Sequence, residues 1–166
     1  MKDIIIYKSQ NADTRSAKQG TTKEELEQDT LSHIDDVQDV GYWLASKFKD
    51  QLAKHDHTKL EYIDEFYNDF NEKLTDGSKD FKNMNWFKNR HMTERHHLND
   101  SVPEDVNMLD VLEMIVDCTC AGLARSGDVY PISIPQDVLE KAIENTKNLI
   151  IANAEVVEKE DEIQDN

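Results

Sequence analysis

The sequence has little with which to cross-link or anchor itself. Two cysteines in 166 residues, Cys118 and Cys120, exclude a disulfide framework. At i and i+2 on a helix they point to roughly opposite sides and cannot pair locally, so they read as small residues of a reducing compartment. Long hydrophobic runs are also missing. The longest, Ile4–Tyr7 and Leu149–Ala152, are far too short to cross a bilayer, and Met1–Gly20 has no extended apolar core of a secretory signal. The expected location is the cytoplasm, with no membrane partner. Positive charge is scarce as well. Nineteen Lys and Arg face 35 Asp and Glu, a formal net charge of −16. Such a surface repels phosphate backbones and argues against wrapping of DNA or RNA. A phosphorylated substrate would need local capture by a metal or a basic cluster.

What is present suits one domain with a modest core, since 37% of the residues are apolar. Ile4-Ile5-Ile6-Tyr7 suggests a short strand or extended arm, followed by the polar stretch Asn11-Ala12-Asp13-Thr14-Arg15. Thr22 with Glu25 three residues later has the form of a capping box. The helical pattern then runs to about Lys54 through Val37, Val40, Leu44, Phe48 and Leu52. A second helix starts near Thr58, with Leu60, Ile63, Phe66, Tyr67 and Phe70 as its stripe, and Thr75-Asp76-Gly77-Ser78 is a turn. A third, polar helical segment is expected from Asn85 to Asn99. A fourth begins between Pro103 and Asn107 and ends at Arg125, with Met108, Val111, Leu112, Ile115, Thr119, Gly122 and Leu123 inward and a stop at Ser126-Gly127-Asp128. Ser133-Ile134-Pro135 opens a last helix, buried through Val138, Leu139, Ala142, Ile143, Leu149 and Ile150. The expected layout is an N-terminal arm over 1–21, an all-α bundle of about five to six helices over 22–154, and an acidic flexible tail over 155–166.

The six histidines all lie between positions 33 and 97. Imidazole beside carboxylate is the usual donor set for borderline divalent metals. His33 shares a helix face with Val37, Val40 and Leu44, where a lone histidine is more often packed than ligating. His55-Asp56 falls where one helix ends and the next begins, and such a junction lets adjacent side chains reach one ion. Asp117 lies deep in the most apolar helix, where an unpaired carboxylate costs several kcal/mol. The alternative puts it on an exposed polar side with Asp110 and Glu113. In Arg90–His97, three imidazoles within seven residues could complete a second metal site or hold a phosphate.

The ordered set His33, His55-Asp56, His91, His96/His97, Asp117 on a helical framework resembles the HD superfamily of metal-dependent phosphohydrolases over about residues 30–125. A closer resemblance is to an uncharacterised HD-like family of phages and bacteria. It is carried by Ser32-His33-Ile34, His55-Asp56-His57-Thr58-Lys59, His91 with His96-His97, and Val111–Asp117 followed by Ala121-Gly122 and Ala124-Arg125. The resemblance implies an HD-domain-like helical bundle with His33, His55, Asp56 and Asp117 on one divalent ion (Mn, Mg, Co, Fe or Zn), and two histidines drawn from His91, His96 and His97 on a second. It also implies the host cytoplasm for a phage member. HD nucleotidases similar to this chain carry a glutamate three residues after the doublet aspartate; here that position is Lys59, with Glu61 nearby.

Three activities remain open at this point. The first is hydrolysis of a nucleotide or related small phosphorylated substrate. Arg15, Lys59, Arg90 and Arg95 would then bind phosphate, and Asp56, His57, Lys59 and Glu61 would handle water and protons. The second is oxygen activation at a di-iron site. The third is a non-catalytic phage protein binding a host protein. A homodimer is compatible with each.

Overall fold

The computed structural model describes residues 2–8 and 18–158. Arg15, the polar stretch 11–15 and the end of the acidic tail lie outside the described residues. Among them run β1 (Ile4–Lys8), α1 (Lys23–Leu52), α2 (His57–Glu61), α3 (Ile63–Thr75), α4 (Asn85–Asn89), α5 (Met108–Ser126), α6 (Gln136–Asn153) and β2 (Ala154–Glu158). Among the described residues the fold is helical but for two short strands. Where composition suggested one compact body, packing divides the chain into two units. One comprises Met1–Lys47 with Lys147–Asn166, the other Phe48–Thr146. The divisions fall inside α1 and α6, not at residues 21 or 154.

In the first unit, β1 and β2 pair in parallel, with Ile4 opposite Ala154 and Lys8 opposite Glu158. Lys8 Nζ reaches Glu158 Oε1 at 2.7 Å. The start of the acidic tail is therefore a strand, not a frayed end. Trp43 Nε1 donates to Asp3 Oδ2 at 3.2 Å, tying α1 to the segment before β1. The capping box at the start of α1 is formed: Glu25 N donates to Thr22 Oγ1 at 3.2 Å, and Thr22 N to Glu25 Oε2 at 2.7 Å. No residue of α1 is buried, and Ile34 and Val37 stand exposed.

The second unit holds a core of Leu98, Val106, Val111, Met114, Val138 and Ala142. Helix α5 opens on Asn107, whose side chain accepts from Leu109 N at 2.9 Å while Asp110 Oδ2 accepts from Asn107 N at 2.9 Å. It closes on Gly127 in the left-handed region, φ 79°. Asn145 Nδ2 donates to Val106 O at 2.9 Å and Thr146 Oγ1 accepts from Met108 N at 2.8 Å, docking α6 on the start of α5.

The faces of α5 differ from the expected ones. Leu112, Ile115 and Leu123, expected inward, are exposed, while Asp110 and Glu113 are buried. On α6, Ile143 is likewise exposed at 60%. The continuous helix expected from Asn85 to Asn99 is also absent. Helix α4 stops at Asn89, a 3-10 turn covers His91–Thr93, and Glu94 is extended at ψ 131°. An aromatic cluster seats this region. Phe66 of α3 lies 4.3 Å from Trp86 between ring centroids and Phe81 lies 5.9 Å from it. Asp69 Oδ2 accepts from Trp86 N at 2.7 Å.

Candidate metal centre

Three short pieces of the second unit build the site. The first is the turn between α1 and α2. Asp56 has φ 54° and ψ 22°, a left-handed conformation that aspartate adopts more readily than most residues. The reversal swings consecutive side chains, His55 and Asp56, toward one point: His55 Nε2 lies 3.4 Å from Asp56 Oδ2. The second piece is the irregular chain after α4. On a continuous helix, positions 91, 96 and 97 would spread around the axis, about 100° per residue. The break at Arg90 and the extended Glu94 gather them instead. His91 and His97 ring centroids lie 4.3 Å apart, and so do those of His96 and His97. His91 is held from behind by Trp86, stacked at 4.9 Å and 19°. The third piece is α5, which supplies Asp110, Glu113 and Asp117 at i, i+3 and i+7, one helix face.

These pieces form two groups that share one residue. His55, Asp56 and His96 make the first, and Asp56, His91 and His97 the second; within each, one donor atom per residue lies within 4.8 Å of the others. Asp117 Oδ1 stands 3.5 Å from His55 Nε2, at the edge of the first group. Three of the four residues first assigned to one ion therefore converge. His33 is not among them. It is exposed on α1, in the unit that does not carry the other donors.

Behind the ligands lies a buried polar network that sequence reasoning passed over. Glu113 Oε1 sits 2.9 Å from His55 Nδ1 and 3.2 Å from His96 Nδ1. Gln51 Nε2 donates to Glu113 Oε2 at 2.6 Å and to Asp110 Oδ1 at 2.9 Å. Arg95 grips Asp110 with two bonds of 2.8 Å and Asp105 at 2.9 Å. The signal was available in the i, i+3, i+7 spacing of three acids, for which an exposed polar side was one of two open alternatives; Asp110 and Glu113 are instead buried. One carboxylate oxygen on both Nδ1 atoms leaves both Nε2 atoms for an ion.

Charge follows the same layout. Burial pushes Glu113 up, but His96, His55 and Gln51 outweigh it and hold the carboxyl down at about 2. Burial lowers His96, yet Glu113, Asp117 and Asp56 outweigh it and raise the imidazole above its ordinary value. His91 goes the other way: burial, then the His97 and Lys59 charges, push it down to about 3. His97 is lowered by burial and by His96. Asp56 is lowered, with burial opposing and Lys59, then His55 and His91, prevailing.

Several of these buried atoms have no hydrogen-bond partner: Asp56 Oδ1, His91 Nδ1, His96 Nε2 and His97 Nε2. A buried polar atom left unpaired costs about 1–3 kcal/mol. Orphans of this kind, pointing donor nitrogens and a carboxylate oxygen at one place, fit a divalent cation. Neutral His91 and His97 have the lone pairs that ligation needs.

No protein-family model, no curated protein and no solved structure matches this chain. The site's meaning rests on its chemistry.

The remaining expected residues are placed as follows. Lys59 Nζ pairs with Asp56 Oδ2. His57 and Glu61, 3.8 Å apart, are exposed along α2 and belong to neither group. His57 Nδ1 lies 3.0 Å from buried Glu94, whose Oε1 accepts from Thr58 N at 3.0 Å and so holds the start of α2. Arg90 is bound to Glu65 at 3.1 Å and stacks on Tyr62 at 4.1 Å. With Arg95 given to Asp110 and Asp105, neither arginine is left free for phosphate, and neither lines the cavity beside the site. That cavity, about 370 Å³, is lined by Asp56, Lys59, His91 and His97, by α5 residues including Asp117, and by the chain 130–133.

Proposed function

We propose that this chain is a metal-dependent phosphohydrolase acting on a nucleotide or a related small phosphorylated molecule, with two donor groups that share Asp56 and would each hold a divalent ion. The observation that carries the reading is the pair of His/Asp groups sharing Asp56 at the wall of a cavity large enough for a small molecule. His55 and His96 would hold one ion and His91 and His97 the other, with Asp117 beside the first. Nitrogen-rich donor sets of this kind suit Mn, Fe, Co or Zn better than Mg. When bound, such ions supply Lewis acidity to a phosphoryl oxygen and acidify water. The chain's own part is to fix the donors through Glu113, to hold His91 and His97 neutral, and to exclude bulk water with Trp86 and Met114. With Lys59 three residues after the doublet aspartate, proton handling falls to Asp117 at the cavity edge.

Elemental analysis and a nucleotide screen on one preparation test this. Two ions per chain, with release of phosphate, diphosphate or triphosphate, support it. A metal-loaded protein inert on the whole panel refutes the hydrolase reading.

A second reading has one observation in its favour. Each group is two histidines and one carboxylate, the donor set of non-haem iron oxygenases. Two irons per chain, with oxygen uptake and no phosphate release, would establish it in place of the first.

A further inference from the structure

The cavity beside Asp56, His91 and His97 continues away from the donors along one stripe of α5: Met114, Asp117, Cys118, Ala121, Gly122 and Arg125. These positions fall on one helix face. Asp117 and Arg125 are separated by about 12 Å of helix axis. The facing wall is Tyr130–Ser133. It lies close because position 122 is glycine. A Cβ there would stand 2.7 Å from Asp128 O and 3.2 Å from Val129 Cα, so no larger residue lets the chain after Gly127 fold back onto α5.

Two cations line this cavity, Lys59 and Arg125. Lys59 is paired with Asp56. The Arg125 side chain makes no hydrogen bond or ion pair to any described residue. That is unlike Arg90 and Arg95, each bound to carboxylates, in a chain with almost twice as many acids as bases. Its place in the last turn of α5 suits the helix dipole, and its exposed guanidinium is open to an anion in the cavity it lines.

We infer that Arg125 reads a second anionic group on the substrate. The cavity takes a small molecule with two anionic ends, one at the Asp56–His91–His97 end and one at Arg125, and a flat or apolar middle against Tyr130, Pro131 and Ile132. This deepens the proposed function and rests on its metal site for the first anionic end only. Guanidinium suits a phosphate or a carboxylate alike, and the spacing selects molecules longer than inorganic phosphate.

The test uses the full chain with and without Mn(II), titrated calorimetrically with benzylphosphonate and with its para-carboxylate, neither of which can be hydrolysed at phosphorus. Wild type with Mn is expected to bind the para-carboxylate about fivefold more tightly, a charge-assisted bond discounted for exposure. Arg125→Gln should abolish that preference at unchanged Mn content, and Arg125→Lys should keep part of it. Mn retained with no preference in wild type, or a preference that survives Arg125→Gln, overturns the inference. A preference that depends on Arg125 in protein that binds no Mn upholds the inference and overturns the metal reading. Binding of neither Mn nor probe overturns both.

Discussion

Glu113→Gln removes one charge and almost no volume from the centre of the network. The carboxylate that faces His55 Nδ1 at 2.9 Å and His96 Nδ1 at 3.2 Å becomes an amide. An amide has one acceptor oxygen for three buried donors, Gln51 included, and adds two donors of its own. Two effects follow. First, the metal-free protein loses the stabilisation that holds Glu113 at about 2 instead of its ordinary 4.5, which corresponds to about 3 kcal/mol. For a chain of this size that is a fall in Tm of about 6–12 °C. The sign is fixed by the direction of the shift. A lowered carboxylate stabilises the fold above 4.5 and loses that contribution as pH falls toward 2, so the gap between wild type and variant is widest near neutrality and closes in acid. Second, His55 and His96 lose the contact that keeps Nε2 free for an ion. Changes to groups behind metal ligands cost about 10- to 100-fold in metal affinity. Co(II) titration followed by visible absorption and by quenching of Trp86, stacked on His91, measures both affinity and geometry. Wild-type cobalt affinity and an unchanged ligand-field spectrum in Glu113→Gln would refute the role given to this carboxylate.

Further predictions concern stoichiometry, pH and the cavity wall. His55→Ala should lower bound metal by one ion per chain and His91→Ala by the other, whereas Asp56→Asn should weaken both; equal metal content in all three variants, read by elemental analysis, would contradict a shared Asp56. His91, lowered to about 3 from 6.5, stays neutral in the folded metal-free protein while the unfolded chain takes up a proton below 6.5. Stability should therefore fall as pH drops from 6.5 toward 3, by up to about 1.4 kcal/mol per pH unit for this group. His96, raised, acts oppositely, its contribution being lost as pH rises through its folded value; urea midpoints across that range, with His91→Phe as reference, separate the two. Gly122→Ala should push the 128–129 backbone off α5 and cost about 1–3 kcal/mol. It should weaken binding in the cavity with metal content unchanged, as thermal melts and the phosphonate titration would show.

Local signals were the legible part of this fold. The Thr22–Glu25 box, the Gly127 stop and the helical body all follow from short-range chemistry, and the structure has each of them. The clustering of His55, Asp56, His91, His96 and His97 was visible as order along the chain, because ligands must come in some order. Which histidines pointed inward was not visible, since the answer depended on helix breaks at Arg90 and Glu94 that no proline or glycine marks. Glu113 and Asp110 were hidden for a different reason. A buried carboxylate is costly unless its partners are known, and those partners, Gln51, Arg95, His55 and His96, are remote in sequence or in the irregular segment. Pairing of β1 with β2 joins residues about 150 apart, beyond any local pattern. Arg90 and Arg95 looked available only because their acids lie on other elements.

The Lys59–Asp56 contact carries one more consequence. The two oxygens of Asp56 are employed differently: Oδ2 faces the Lys59 ammonium and Oδ1 is buried without a partner. A cation drawn to Oδ2 would compete with Lys59, and the displaced ammonium would be open to an anion in the cavity it lines. Cation loading and anion capture would then be linked, each tightening the other by the same factor. The chain would take up its components in sequence, metal before anion, and would hold its metal more firmly whenever an anionic ligand is abundant.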